Sequence, residues 1–148
     1  MATQCGFLIS KIKQIHDRLI DRKLNERQID VFNGAQGRVL HVLYGEDNIQ
    51  MNHISDKIGL SLPTLTGLID RMEKSGLVMR QPCLTDRRKQ MIVLTDKAKG
   101  LQEDYQAISE EMEDIFFQGF DADERRQFED MIVRIKDNLE MADNDRRK

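Results

Sequence analysis

The chain has 148 residues, of which 33% are charged and 5% aromatic, with no tryptophan and a formal net charge of −3. That length suits one domain, or one domain with an oligomerisation arm. No apolar run approaches the ~18 residues of a membrane span. Residues 1–10 are too short for a signal peptide. Cys5 and Cys83 lie too far apart to suggest a disulfide framework or a metal-ligand pair. A cytoplasmic, largely helical protein with long exposed faces is expected.

Residues 7–22 read as a helix: Leu8, Ile12, Ile15 and Leu19 recur at helical spacing, and Ile9 and Ile20 widen the apolar surface to two sides. Residues 23–30 are polar and read as a loop, after which Ile29, Val31 and Phe32 return to the core. Asn33 caps the next helix, which carries Val39, Leu40, Val42 and Leu43 inward and ends at Gly45. Two glycines in its first turns weaken it, so packing must hold it. Ile49 and Gln50 could add a short strand to the wing but are too brief to assign.

Residues 51–95 organise the chain. A short helix, 51–58, is broken by Gly59, which takes the positive-φ backbone of a tight turn. Ser61 is the N-cap of a second helix, and Pro63 is tolerated only in a first turn. Leu65, Leu68, Ile69 and Met72 form one buried stripe, and Gly76 ends the helix. Two helices around a glycine turn make a helix-turn-helix, whose second helix enters the DNA major groove. Residues 78–81 and 90–94 then read as two strands. Pro82, Thr85 and Asp86 mark the loop between them, with Arg87, Arg88 and Lys89 near its tip. A basic hairpin after a recognition helix is a wing. Thr95 caps the following helix.

Pro63, Gly67, Asp70 and Lys74 lie opposite the buried stripe, flanked by Thr66 and Arg71, giving a face that is small at its start and charged later. Gly67 costs roughly 1 kcal/mol against alanine, so it marks either slack or a point of close approach. Such a face also suits an ordinary solvated helix; the ordered helix, turn, helix and basic hairpin favour DNA. Charge distribution agrees. Residues 57–89 hold seven Lys/Arg against three acids, whereas 101–148 hold seven against fifteen, which would hold the acidic half away from phosphates. Groove and phosphate contacts are assigned to Ser61, Pro63, Thr64, Thr66, Arg71 and Lys74. Asn52 and His53, opening the preceding helix, could meet a phosphate. Asp86, Arg87, Arg88 and Lys89 serve the wing, with Asp86 orienting Arg88 by an ion pair that also suits a simple turn-stabilising bridge.

Residues 96–118 read as one helix with a heptad-like seam of Ala98, Leu101, Tyr105, Ile108, Met112 and Ile115. Gly119 stops it. Asp121 with Glu124 starts a last helix bearing Phe128, Met131, Ile132, Ile135 and Leu139, and residues 143–148 are expected to fray. Too little chain remains to bury both stripes, so a partner helix from a second copy is expected; a bundle with residues 7–22 is the alternative.

These residues carry a resemblance. Asp86-x-Arg88, five residues, then Leu94-Thr95 resembles the wing signature of the MarR family of bacterial transcription regulators. Asn33-Gly34-Ala35-Gln36-Gly37-Arg38-Val39-Leu40 resembles that family's T-x-x-Q-x-x-V-L helix start, with Asn for Thr. Leu65-Thr66 through Leu77-Val78 is similar to its recognition helix and following G-L-V. The likeness runs over about residues 7–139. Gly67 stands where members often carry arginine, and Ala98 where they often carry glycine. The resemblance implies a mainly α fold with a small β-hairpin wing: a winged helix-turn-helix over 33–94 and a helical dimerisation region from 1–32 and 95–148. It implies a homodimer reading a pseudo-palindrome in double-stranded DNA, with Arg88 in the minor groove. It also implies a repressor released by a small aromatic or anionic effector held between lobe and arm, where Arg38 and His41 are candidate anion partners with packing roles equally open.

Nothing in the sequence suggests chemistry. There is no nucleophile elbow, phosphate loop, metal signature or carboxylate pair, and His16, His41 and His53 are scattered. No enzyme and no cofactor are expected. Two other functions are weighed. A redox-responsive regulator could switch through Cys5, which precedes the first predicted helix and has no cation nearer in sequence than Lys11; Cys83 reads as a small apolar filler at the wing base. A winged helix can also serve as a protein-interaction module, against which the Arg87, Arg88, Lys89 cluster argues.

Overall fold

Helix boundaries follow the capping residues. The computed structural model describes residues 3–146, which form α1 (Cys5–Glu26), α2 (Gly34–Gly45), β1 (Ile49–Gln50), α3 (Met51–Ile58), α4 (Leu62–Lys74), β2 (Val78–Pro82), β3 (Gln90–Leu94), α5 (Asp96–Gly100), α6 (Gln102–Phe116) and α7 (Ala122–Arg146). Asn33 Oδ1 accepts from Gln36 N at 2.9 Å while Gln36 Oε1 accepts from Asn33 N at 3.3 Å. This reciprocal box satisfies two orphan amides and offsets the glycines that follow. Asp121 and Glu124 repeat it at α7. Gly76, at φ 78°, closes α4: its N–H donates to Glu73 O, and Leu77 N–H donates back to Met72 O, the paired bonds of a Schellman end.

The chain divides into two compact units, Met1–Met112 and Glu113–Lys148. The core of the first lies under α4, whose Leu65, Leu68, Ile69 and Met72 are all buried, against Val39, Leu40 and Leu43 of α2 and Ile54 of α3. Leu77, Val78, Ile92 and Leu94 add the base of the wing. Each such side chain contributes about 1.5–3 kcal/mol. The strands form one antiparallel sheet ordered β1-β3-β2, with Ile49 opposite Ile92 and Val78 opposite Leu94. In the second unit, Phe117 packs among Phe116, Phe120 and Phe128, and the Arg125 guanidinium lies 4.5 Å from its ring centre.

Several expectations need correction. α1 is longer than 7–22 at both ends. Cys5 is its first residue, and residues 23–26 stay helical because this carries Leu24 into the core. There Lys23 Nζ donates to Glu111 at 2.9 Å, and Arg27 adds a second bond to the same carboxylate. Ile49 and Gln50 do form a strand, held by β3 and by burial of Ile49. Pro82 belongs to β2, opposite Gln90, which an edge strand allows. The helix expected over 96–118 is interrupted at Leu101, whose N–H bonds three residues back to Ala98 O, and it ends at Phe116. Its seam is less dependent on a partner than expected: Ala98, Ile108 and Met112 are buried within this chain, while Ile115 is exposed. α7 continues to Arg146 rather than fraying from 143; the last two residues of that expectation lie outside the described ones.

Candidate nucleic-acid interface

α4 presents its outward face because its inward stripe is entirely consumed by the core. Ser61, Pro63, Thr64, Thr66, Arg71 and Lys74 are all exposed. Ser61 holds the N-cap position with extended backbone, but its hydroxyl does not cap; it donates to Thr64 Oγ1 at 3.0 Å. Pro63 sits in the first turn as expected. Thr66 Oγ1 donates to Leu62 O at 2.8 Å, leaving its lone pairs outward. A Cβ at Gly67 would meet nothing within 4 Å, so no protein contact requires glycine there. On α3, Asn52 and His53 lie exposed in the first turn, and His53 Nε2 is 3.9 Å from Glu46, which Lys57 also approaches.

The wing tip is ordered by Asp86. Its carboxylate accepts from the Arg88 backbone N–H at 3.1 Å and from Arg88 Nε at 3.2 Å. These bonds, led by the Arg88 side chain, hold the Asp86 carboxyl below the usual carboxylate range. The Arg88 side chain remains 91% exposed, so the pair aims the guanidinium without hiding it. Arg87 and Lys89 flank it, both exposed. Cys83 is a correction: it is half-buried rather than core filler, its Sγ lies 3.3 Å from Thr85 Oγ1, and that hydroxyl first, then nearby backbone amides, push the thiol pKa down. Cys5 is exposed.

Arg80 was not singled out by sequence, and it joins the two halves of this surface. Its guanidinium donates to Asp70 at 2.6 Å and Glu73 at 2.8 Å, both on α4, and its backbone N–H also meets Glu73. The Asp70 bond, partly opposed by burial, raises its pKa. One of the seven cations counted in the basic stretch is therefore spent on two of its three acids. The signal available in sequence was only the alternation of acids on α4 with a base on β2.

Arg38 and His41 are each engaged within the chain. Arg38 pairs with Asp17 of α1, and His41 Nδ1 lies 3.0 Å from the Tyr105 hydroxyl. Burial is the largest influence on Asp17 and opposes ionisation, but Arg38 and Lys13 outweigh it and lower its pKa. Tyr44 donates to Ala98 O at 2.5 Å, and burial with Tyr105 pushes its pKa up to about 12.

The MarR family model matches residues 32–89, the span from the last core residue before α2 through the basic tip of the wing. Over this segment the chain is similar to the MarR family. A MarR transcriptional regulator from Methanosarcina mazei Go1 is 27% identical, superposes with a TM-score of 0.79, and the match covers 93% of this chain and 97% of that one. Reduced AbfR, solved bound to DNA, is 25% identical at a TM-score of 0.73, covering 94% and 92%. The transcriptional regulator SlyA, 21% identical, shares the fold at 0.84 over 93% and 94%. The Methanosarcina mazei Go1 protein and SlyA are transcriptional regulators, and the likeness to each runs over 93% of the present chain.

Proposed function

We propose that this chain is a sequence-preferring double-stranded DNA-binding transcription regulator in the cytoplasm, using residues 33–94 to contact DNA. The observation that carries the proposal is the pairing of an exposed α4 face with a neighbouring hairpin whose Arg88 is ordered by Asp86 yet left in solvent. α4 enters the major groove with Thr64, Thr66 and Arg71 at base edges and phosphates. Arg88 enters the adjacent minor groove, whose negative potential attracts such a side chain. Arg87, Lys89 and Lys74 meet phosphates. The DNA complex of AbfR supports this use of the fold.

We further propose a homodimer formed by 1–32 and 95–148, which would place two recognition helices about one DNA turn, roughly 34 Å, apart on a pseudo-palindrome. Exposed Leu8, Ile12 and Ile15 on α1, and Met131, Ile135 and Leu139 on α7, are apolar side chains for a second copy to cover. The regulator acts as a repressor and is released by a small effector that favours a DNA-incompetent spacing; Arg38 and His41 are its candidate contacts.

A salt-titrated gel shift on the DNA upstream of its own gene tests the first claim. We expect binding that prefers that DNA over unrelated duplex and weakens steeply with salt. Arg88→Ala should weaken it by about tenfold or more, the worth of one well-placed groove arginine. Equal affinity for unrelated DNA would leave a protein-interaction module as the better account.

A further inference from the structure

Beside α4, on the side of the α1–α2 connection, lies an open cavity of about 580 Å³. Its floor is apolar, built from Leu24, Ile29 and Phe32, all buried. Its rims carry opposite charges. Arg71 and Lys74 come from α4, and Asp21 and Asp30 come from the end of α1 and the loop after it. No ion pair joins the two rims among the described residues, and neither Arg71 nor Lys74 has a side-chain partner there. Asp21 accepts the Gly34 N–H.

A fourth feature separates this cavity from a plain solvated cleft. Gln36, only 7% exposed, lines it. Its Oε1 is committed to the α2 capping box, whereas its amide Nε2 has no partner among the described residues. No sealed side-chain nitrogen or oxygen lacks a partner there, so this nitrogen is not fully sealed, on a residue that lines the cavity. A largely buried donor beside an apolar floor between opposed charged rims is the makeup of a small-molecule site.

We propose that this cavity binds a small zwitterion, with an apolar or aromatic body over Leu24 and Phe32 and its charges at opposite ends. The carboxylate meets Arg71 and Lys74, with the Gln36 amide donating to it or to a polar group beside it. The ammonium meets Asp30 and Asp21. A lone anion would leave the acidic rim unmatched, and a lone cation the basic rim. Resting on the DNA contacts proposed above, the bound carboxylate would compete with phosphate for the same two α4 cations, so occupancy of the cavity weakens DNA binding.

The test is a titration of the full chain, without DNA, followed by backbone-amide NMR. The probe is 4-(aminomethyl)benzoate, with benzoate and benzylamine as single-charge controls. Expected are saturable shifts confined to residues 21–36 and 71–75, with the zwitterion binding about tenfold more tightly than either control, the worth of one charged contact. Asp30→Asn should bring the zwitterion to the affinity of benzoate without changing affinity for DNA. Shifts elsewhere, no saturable shifts, equal affinity for all three compounds, or an Asp30→Asn protein that binds the zwitterion as before would each overturn the proposal. Because this titration contains no DNA, its failure is separate from failure of the gel shift. Saturable zwitterion binding that left DNA affinity unchanged would overturn the competition.

Discussion

Arg80 and Arg88 sit on the same hairpin and have opposite employment. Arg88 is ordered by one carboxylate and left in solvent; Arg80 is held by two carboxylates of α4. Only the first is available to a polyanion. Removing Arg80 leaves Asp70 and Glu73 unmatched on the recognition helix and frees the hairpin from it. Arg80→Ala is therefore expected to weaken DNA binding without itself being a DNA contact. Arg80→Lys should restore only part of the affinity, because lysine cannot serve both acids with a planar fork; gel-shift affinities of both variants beside Arg88→Ala decide this, and an Arg80→Ala protein that binds DNA normally rejects the role. Gly67 offers a second residue-level prediction. With open space around its Cβ position, Gly67→Ala should raise unfolding stability by about 1 kcal/mol through helix propensity alone. Denaturant unfolding measures that gain, and a fall in DNA affinity in the same variant would mark a point of close approach to the duplex.

Between elements, two polar links fasten the start of α5 to the lobe. Thr95 Oγ1 accepts from Ala98 N–H at 3.2 Å and donates to Gly76 O at 2.6 Å, so one hydroxyl caps α5 and ties it to the end of α4. Thr95→Ala should cost about 1–2 kcal/mol in chemical denaturation, at the upper range for a cap because two bonds go together. Tyr44 donates to Ala98 O one helix away. Its folded pKa, about 12, lies above its ordinary value of 10.0. The stability this contributes is complete below pH 10 and disappears as pH rises toward 12. Absorbance titration should show Tyr44 ionising well above an unfolded tyrosine, and Tyr44→Phe should flatten the loss of stability between pH 10 and 12. An ordinary tyrosine titration would show that Tyr44 is not buried beside Tyr105 in solution.

For the whole molecule, the apolar surface of α7 sets the prediction. Met131, Val133, Ile135, Leu139 and Met141 are exposed, more than a soluble helix carries without a use. Ile135→Glu should convert a dimer to a monomer in sedimentation and weaken operator binding. A wild-type chain that sediments as a monomer at micromolar concentration would remove the two-fold account of operator reading.

Local order is legible in the sequence. The α4 stripe, the glycine stops at Gly59 and Gly76, the Asn33 and Asp121 boxes, and the Asp86–Arg88 pair all depend on residues no more than seven apart, so spacing along the chain already contains their geometry. What the tertiary structure alone decided is long-range: that α1 runs on to bury Leu24, that Ile49 finds Ile92, that the α6 seam turns inward as far as Met112, and that Arg80 is neutralised while Arg71 and Lys74 stand free beside a cavity. Each of these turns on which distant groups come within a few ångströms of one another, and burial and charge pairing are properties of that proximity rather than of order along the chain.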